Sequence, residues 1–372
     1  MSVRFLTAVS GRAFNMRDRF GREIDYMRIS VIDSCNLNCY YCNPQDNNKN
    51  CQAINILSVK KVLCIVRAAT RIGITHFRLT GGEPLLHPQI DEMVSQIKKI
   101  PGVRSVSLTT NAVLLAQHAK QLKEAGIDSI NVSLDTIDAS EYEHITKKPL
   151  LEEVKHGINA AIECGIRVKI NVVLTPQTDV VALTRYASKK GTDIRFIEMM
   201  PVGEGHTNGV EPYEKVIGAL LEVYGTPCHI DTENRDEINS GYNNADNGPA
   251  EYYSFHGLNI RVGLIQAIHG KFCDTCNRIR VTADGRLMPC LGSSVTMDLV
   301  PDSCEFIDDL EKDFVIVQAL KAAIKAKPGC HNFNDNAVTY TKTTETKTVE
   351  TKTTELKAAE VNAARNMSRI GG

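Results

Sequence analysis

Three cysteines stand within eight residues, Cys35-Asn-Leu-Asn-Cys39-Tyr-Tyr-Cys42, directly after a β-like run from Met27 to Asp33. Thiolates are soft ligands, and three of them this close can grip a metal centre. A closed zinc site or an iron–sulfur cube normally takes four protein ligands. The shortfall leaves one metal without a protein ligand, and there a small chelating molecule can bind. A second group, Cys273-x2-Cys276-x13-Cys290, repeats the count of three. Spacing does not name the metal: Cys51 could complete a zinc site in the first group, and Cys304 or Cys330 a zinc ribbon in the second. Beside the second group, Cys276-Asn-Arg278-Ile-Arg280 puts a thiol and two guanidiniums on one face if Ile279 lies in a strand. That combination suits an anionic, hydrogen-bonding ligand such as a nucleotide.

These residues need elements to position them. From Met27 to Tyr224 the chain alternates Val/Ile/Leu-rich runs with amphipathic ones, many stopped by glycine. Strands are expected at His76–Thr80, Val103–Thr109, Ser129–Leu134, Arg167–Leu174 and Asp193–Met199, with Ser58 capping a helix that begins at Val59. Alternation at this spacing predicts parallel strands joined by right-handed helical crossovers. Polar residues gather at the carboxyl ends of successive strands: Asp33, Gly81 to Glu83, Thr109 to Asn111, Ser133, Asp135, Asn171 and Glu198 to Met200. Contributions from many strands to one face indicate a barrel, whereas an open sheet gathers its site at one switch point. The fold class expected is therefore α/β, an incomplete (βα)6 TIM-like barrel. Residues 1–24 form an arm, 25–230 the barrel, and 231–332 an α+β module of short antiparallel strands closing its open side. Residues 333–364, rich in Thr, Lys and Glu, read as a flexible tether, and 365–372 as a tail ending Gly371-Gly372.

The 372 residues carry 43 Lys and Arg against 44 Asp and Glu, so no overall field advertises nucleic acid or an anionic membrane. No run of eighteen apolar residues and no signal peptide are evident, which predicts a soluble, cytoplasmic protein. In that setting 12 cysteines point to metal or redox work more than to disulfides.

The first thiol group, followed one strand later by Gly81-Gly82-Glu83-Pro84, is similar to the radical S-adenosylmethionine (SAM) superfamily. The wider pattern resembles the GTP 3′,8-cyclase family of molybdenum-cofactor biosynthesis. It takes in Arg28-Ile-Ser-Val-Ile-Asp33, Phe77-Arg-Leu-Thr-Gly-Gly-Glu-Pro84, Leu108-Thr-Thr-Asn111, Asn131-Val-Ser-Leu-Asp135, Arg195-Phe-Ile-Glu-Met-Met200, Phe272-Cys-Asp-Thr-Cys-Asn-Arg-Ile-Arg280 and the terminal Gly-Gly.

By position, the resemblance implies that Cys35, Cys39 and Cys42 hold a [4Fe–4S] cluster whose free iron binds SAM, with Tyr41, Gly82, Ser133 and Met200 contacting SAM. Cys273, Cys276 and Cys290 would hold a second [4Fe–4S] cluster. Arg28, Arg78, Thr109, Lys169, Arg278, Ile279 and Arg280 would contact GTP, and Gly371-Gly372 would enter the active site. The catalytic set so implied is the first three cysteines, Arg278, Arg280 and the two terminal glycines. The implied reaction cleaves SAM to a 5′-deoxyadenosyl radical, which takes hydrogen from ribose C3′ of GTP; that carbon then closes on guanine C8. The implied partners are an electron donor such as flavodoxin and cyclic pyranopterin monophosphate synthase as acceptor of the product, with monomer and homodimer both open. The Thr/Lys/Glu-rich stretch is longer than the family pattern leads one to expect. Two other readings compete. A peptide-modifying radical SAM enzyme would carry more C-terminal cysteines and no paired arginine after Cys276. A metal-bearing interaction module would not cleave SAM.

Overall fold

The computed structural model describes residues 16–42, 54–201, 210–230, 248–293, 295–299, 309–331 and 333. Cys51, Cys304, the low-complexity segment and Gly371-Gly372 lie outside them, as does most of the Asn-rich loop at 243–248.

Six strands follow the predicted alternation: β1 (Tyr26–Ser30), β2 (His76–Thr80), β3 (Ser105–Thr110), β4 (Ser129–Ser133), β5 (Arg167–Val173) and β6 (Asp193–Ile197). Between and after them run α1 (Val59–Thr70), α2 (Ile90–Lys98), α3 (Leu115–Glu124), α4 (Ala139–Thr146), α5 (Leu151–Glu163), α6 (Val180–Lys190) and α7 (Pro212–Tyr224). The local signals act as read. Ser58 Oγ accepts from Lys61 N at the start of α1, and Gly191 ends α6 in the left-handed region at φ 64°.

The strands β1 to β6 pair parallel in sequence order. No reversal of order occurs among them, so right-handed crossovers keep the helices on one side. Alternate residues divide accordingly. Met27, Ile29, Phe77, Leu79, Val106, Leu108, Ile130, Val132, Ile170, Val172, Ile194 and Phe196 are fully buried in the hydrophobic core. Their neighbours along each strand, among them Arg28, Arg78, Asn131, Asn171 and Arg195, line a cavity on the other face. A face built only for stability would be covered by branched apolar residues. Here the face away from the helices is polar, and that difference makes it a site.

The C-terminal strands depart from expectation. They are β7 (Cys228–Ile230), β8 (Glu251–Ser254), β9 (Val262–Ile265), β10 (Arg278–Val281), β11 (Arg286–Met288) and β12 (Met297–Asp298), followed by α8 (Asp309–Ala326). They do not form an antiparallel sheet of their own. Strand β9 adds in parallel to β6, and β10 adds in parallel to β1. Among the described residues one sheet of twelve strands results, in the order β12-β11-β10-β1-β2-β3-β4-β5-β6-β9-β8-β7. The outer pairs are antiparallel, as short hairpin-linked strands permit. The physical reason is the pair of open edges. The parallel run leaves the backbone groups of β1 and β6 unpaired, and β10 and β9 satisfy them.

The arm, described from Met16, is a tight hairpin. Arg17 bridges Glu23 antiparallel, and Asp18 Oδ1 accepts from the backbone N–H groups of Phe20 and Arg22.

Candidate functional site

The carboxyl ends of the parallel strands open into one cavity of about 590 Å3, within the range of small-molecule sites. Both cysteine triplets line it.

The first triplet rides on the loop after β1. That loop is fastened on three sides. Asp33 accepts from Asn55 N and Nδ2 at 3.0 and 2.6 Å. Asn38 N and Tyr40 N donate to Thr146 O and Ile145 O at the end of α4. Gly82 N and Glu83 N donate to Ile32 O and Ser34 O, both at 2.8 Å. The last contact explains the glycine pair. A Cβ at Gly81 would lie 2.4 Å from Ile32 O, and one at Gly82 would lie 2.2 Å from Ser34 O. Glycine is thus required where backbone meets backbone, and the loop bearing Cys35 rests on it.

Glu83 is buried and accepts from Thr110 Oγ1, Asn111 N and Leu85 N at 2.7, 2.7 and 3.0 Å. Burial raises its pKa to about 7 against the pull of those donors. Asn111 Nδ2 in turn reaches Asn36 Oδ1 at 2.7 Å and approaches Cys35 Sγ at 3.8 Å. The hydroxyl of Tyr41 donates to Asp135 Oδ2, and Val173 N donates to Asp135 Oδ1 at 2.8 Å. Burial lifts Asp135 to about 6. Tyr41 is therefore held by its hydroxyl, packs edge-on against Tyr40 and lines the cavity. Gly82, Ser133 and Met200 also line the cavity. The enclosing walls raise the Cys35 thiol to about 11, with the nearby Glu83 and Cys42 adding to the effect. Burial raises Cys39 and Cys42 as well.

A row of cations lies across the strands. Arg28 is the register partner of Arg280 on one side and of Arg78 on the other, so three arginines stand on adjacent strands about 4.8 Å apart. Burial and then repulsion from Arg280 and Arg78 lower Arg28 well below its usual range, and burial and then Arg278 bring Arg280 down to about 10. Arg78 Nε donates to the Tyr26 hydroxyl, and its Nη1 approaches Thr109 Oγ1 at 3.4 Å. Burial alone would raise the Tyr26 phenol, but Arg78 and Arg28 outweigh it and hold the pKa below normal. Across the cavity on β6, Arg195 donates from Nε to Asn171 Oδ1 at 2.9 Å, while its buried Nη2 makes no hydrogen bond among the described residues. Gly263 makes room for it, since a Cβ there would meet Arg195 Cγ at 2.9 Å. Such a set suits a polyphosphate.

The second triplet lies at the β10 end. Arg278 and Arg280 line the cavity with Cys273, Cys276 and Cys290, as period-two spacing predicts. Burial tends to raise Cys276, but Arg278 and Lys327 lower it to about 6. The triplets thus differ in surroundings, carboxylates near the first and cations near the second. All six cysteines are free thiols. Among the described residues no three His, Cys, Asp or Glu side chains are gathered for a single metal ion. A cube spreads its thiolates over separate irons and needs wider spacing. Three soft donors at the edge of a lined cavity fit that group.

Two expected GTP contacts are not brought to the cavity. Lys169 is buried on β5 one residue pair below Asn171 and does not line it. Ile279 turns its side chain to the core on the opposite face of β10. Conversely Arg195, Tyr26, Lys327 and His331 line the cavity with no role expected of them, and only Arg195 lies in a quoted motif. Arg195 was within reach, because it precedes Ile197 by two on a strand ending in a polar cluster. Lys327 and His331 follow a helix, and no spacing links them to the thiols.

Comparison with known proteins agrees with this geometry. Residues 29–183 match the radical SAM superfamily, and residues 192–333 match the family described as Molybdenum Cofactor Synthesis C. The fold is also similar to that of SuiB from Streptococcus suis bound to S-adenosylmethionine, with a TM-score of 0.55 at 16% identity over 82% of this chain and 68% of that one. Fold and thiol loop together define a radical SAM enzyme. Two curated relatives, both GTP 3′,8-cyclases, narrow it. The one from Clostridium perfringens (strain SM101 / Type A) is 36% identical over 86% of this chain and 95% of its own length. The one from Listeria monocytogenes serovar 1/2a is 36% identical over 85% and 92%. This chain belongs to the GTP 3′,8-cyclase family.

Proposed function

We propose that the chain converts GTP to (8S)-3′,8-cyclo-7,8-dihydroguanosine 5′-triphosphate in molybdenum-cofactor biosynthesis. The observation that carries this reading is a single cavity joining the two thiol triplets across the Arg280, Arg28 and Arg78 row. Cys35, Cys39 and Cys42 would hold one [4Fe–4S] cluster, and Cys273, Cys276 and Cys290 would hold a second. When bound, the first cluster with SAM would supply one-electron radical chemistry at ribose C3′.

The chain's own residues do the rest. Gly82, the Tyr41 ring, Ser133 and Met200 seat SAM beside the first triplet. Arg28, Arg78 and Arg195 bind the triphosphate, and Thr109 stands beside Arg78. Arg278 and Arg280 orient the base at the second triplet. The result is two reactants fixed in one walled space, with the ordering entropy settled on binding and water held out. The six βα units read as an incomplete barrel that β9 and β10 extend toward closure, with residues 231–332 as its C-terminal module. Gly371-Gly372, outside the described residues, keep the role that the family resemblance implies. Lys169 acts from beneath Asn171 as support. Ile279 offers only its backbone. No helix among the described residues is long and apolar enough to cross a membrane. An external one-electron donor such as a flavodoxin and a downstream cyclic pyranopterin monophosphate synthase complete the route.

After anaerobic reconstitution the chain should hold about eight irons. It should form 5′-deoxyadenosine from SAM with a reductant only when GTP is present. Formation of 5′-deoxyadenosine with a peptide or another nucleotide, but not with GTP, would overturn the assignment.

A further inference from the structure

Lys327, one residue past α8, is 2% exposed and lines the cavity. Its ammonium donates to Arg278 O at 2.8 Å and to Pro289 O at 3.0 Å. These carbonyls belong to the two segments that carry the second triplet, two residues after Cys276 and one before Cys290. The third thiol is braced from the same side. Arg22 Nη1 donates to Cys273 O at 2.7 Å, and Arg22 also reaches Gly329 O at 3.1 Å and Pro328 O at 2.6 Å. Thus Arg22 and Lys327 form one unit around the triplet, joined through the residues that follow Lys327.

The two cations differ in one respect. Arg22 is neutralised by Asp18, to which its Nε donates at 2.6 Å. No carboxylate pairs with Lys327 among the described residues. A buried charge left uncompensated is strongly unfavourable, so a folded chain keeps one where an opposite charge arrives. The sulfurs that Lys327 faces are those of Cys276 and Cys290, which become thiolates when they hold a cluster. Three thiolates outweigh the core charge of an oxidised cube, so the assembly is anionic, and reduction makes it more so.

We infer that Lys327 is the electrostatic counter-ion of the group held by Cys273, Cys276 and Cys290, a positioning residue that favours its assembly and its reduced state. This rests on the reading that the second triplet holds a cluster.

The test uses the full-length chain carrying C35A, C39A and C42A, so that any cluster iron belongs to the second triplet. Into it are introduced Lys327→Gln, which keeps N–H donors for the two carbonyls but not the charge, and Lys327→Arg, which keeps the charge. Iron content after anaerobic reconstitution and the midpoint potential by electron paramagnetic resonance titration are measured. Lys327→Gln should lose iron or hold it at a more negative midpoint, while Lys327→Arg stays near the parent. Wild-type behaviour in Lys327→Gln would make Lys327 a carbonyl tether only and overturn the inference. Equal damage in both variants would do the same, by showing that shape and not charge matters. A parent chain that binds no iron would instead overturn the reading of the triplet itself, and the inference with it.

Discussion

Arg28 stands between Arg280 and Arg78 on adjacent strands, and three like charges in a row disfavour the chain without its ligand. Arg28→Met should therefore raise the thermal midpoint of the apo protein, by the order of 1 kcal/mol of stability. It should also weaken GTP binding by about tenfold or more, since a charge-assisted hydrogen bond is worth roughly 1.5–3 kcal/mol. Differential scanning fluorimetry and equilibrium binding on one preparation check both halves. Glu83 gives a pH dependence. Its folded pKa of about 7 lies above the ordinary carboxylate value of 4.5. The folded state therefore holds its proton more tightly, and the associated stability is full below about pH 4.5 and lost as pH rises through 7. The difference is on the order of 3 kcal/mol at most. In Glu83→Gln that part of the pH profile should flatten, which melting curves from pH 5 to 8 would reveal.

At the scale of elements, the turn after β2 and the loop after β1 are one unit, because Gly82 packs on the Ser34 carbonyl. Gly82→Ala forces backbone against backbone, a strain of about 1–3 kcal/mol. The fold tolerates that amount, but the loop bearing Cys35 does not keep its place. The expected outcome is iron falling from about eight to about four per chain, with the second cluster's resonance signal intact. Unchanged iron content would mean that the loop reaches its position without this contact. The sequence marks Gly81-Gly82 clearly and points to a ligand; the structure adds a second demand for glycine, the contact with residues 32–34 of the chain itself.

At the scale of the molecule, the ladder continues from β6 to β9 and from β1 to β10, so the C-terminal segment is part of the same sheet. A chain ending at Ile230 would expose the edges of β1 and β6 together, and exposed edges invite aggregation. Such a truncation should elute as aggregate in size-exclusion chromatography and lack a cooperative melt. A monodisperse, cooperatively folding fragment would show that the βα units stand alone. What the sequence by itself determined is local. The strands and helices from Tyr26 to Tyr224 follow from periodicity and caps, and the thiol triplets with Arg278 and Arg280 follow from spacing. These signals need only neighbours within a few residues. The tertiary structure alone decided the rest. Arg195 meets the arginine row only once β6 is placed across the cavity. Arg22 reaches Cys273 across 251 positions, and Lys327 meets Arg278 and Pro289 only when α8 has packed. Such contacts carry no periodic signal, because they depend on how the edges of one sheet are completed by segments distant in the chain.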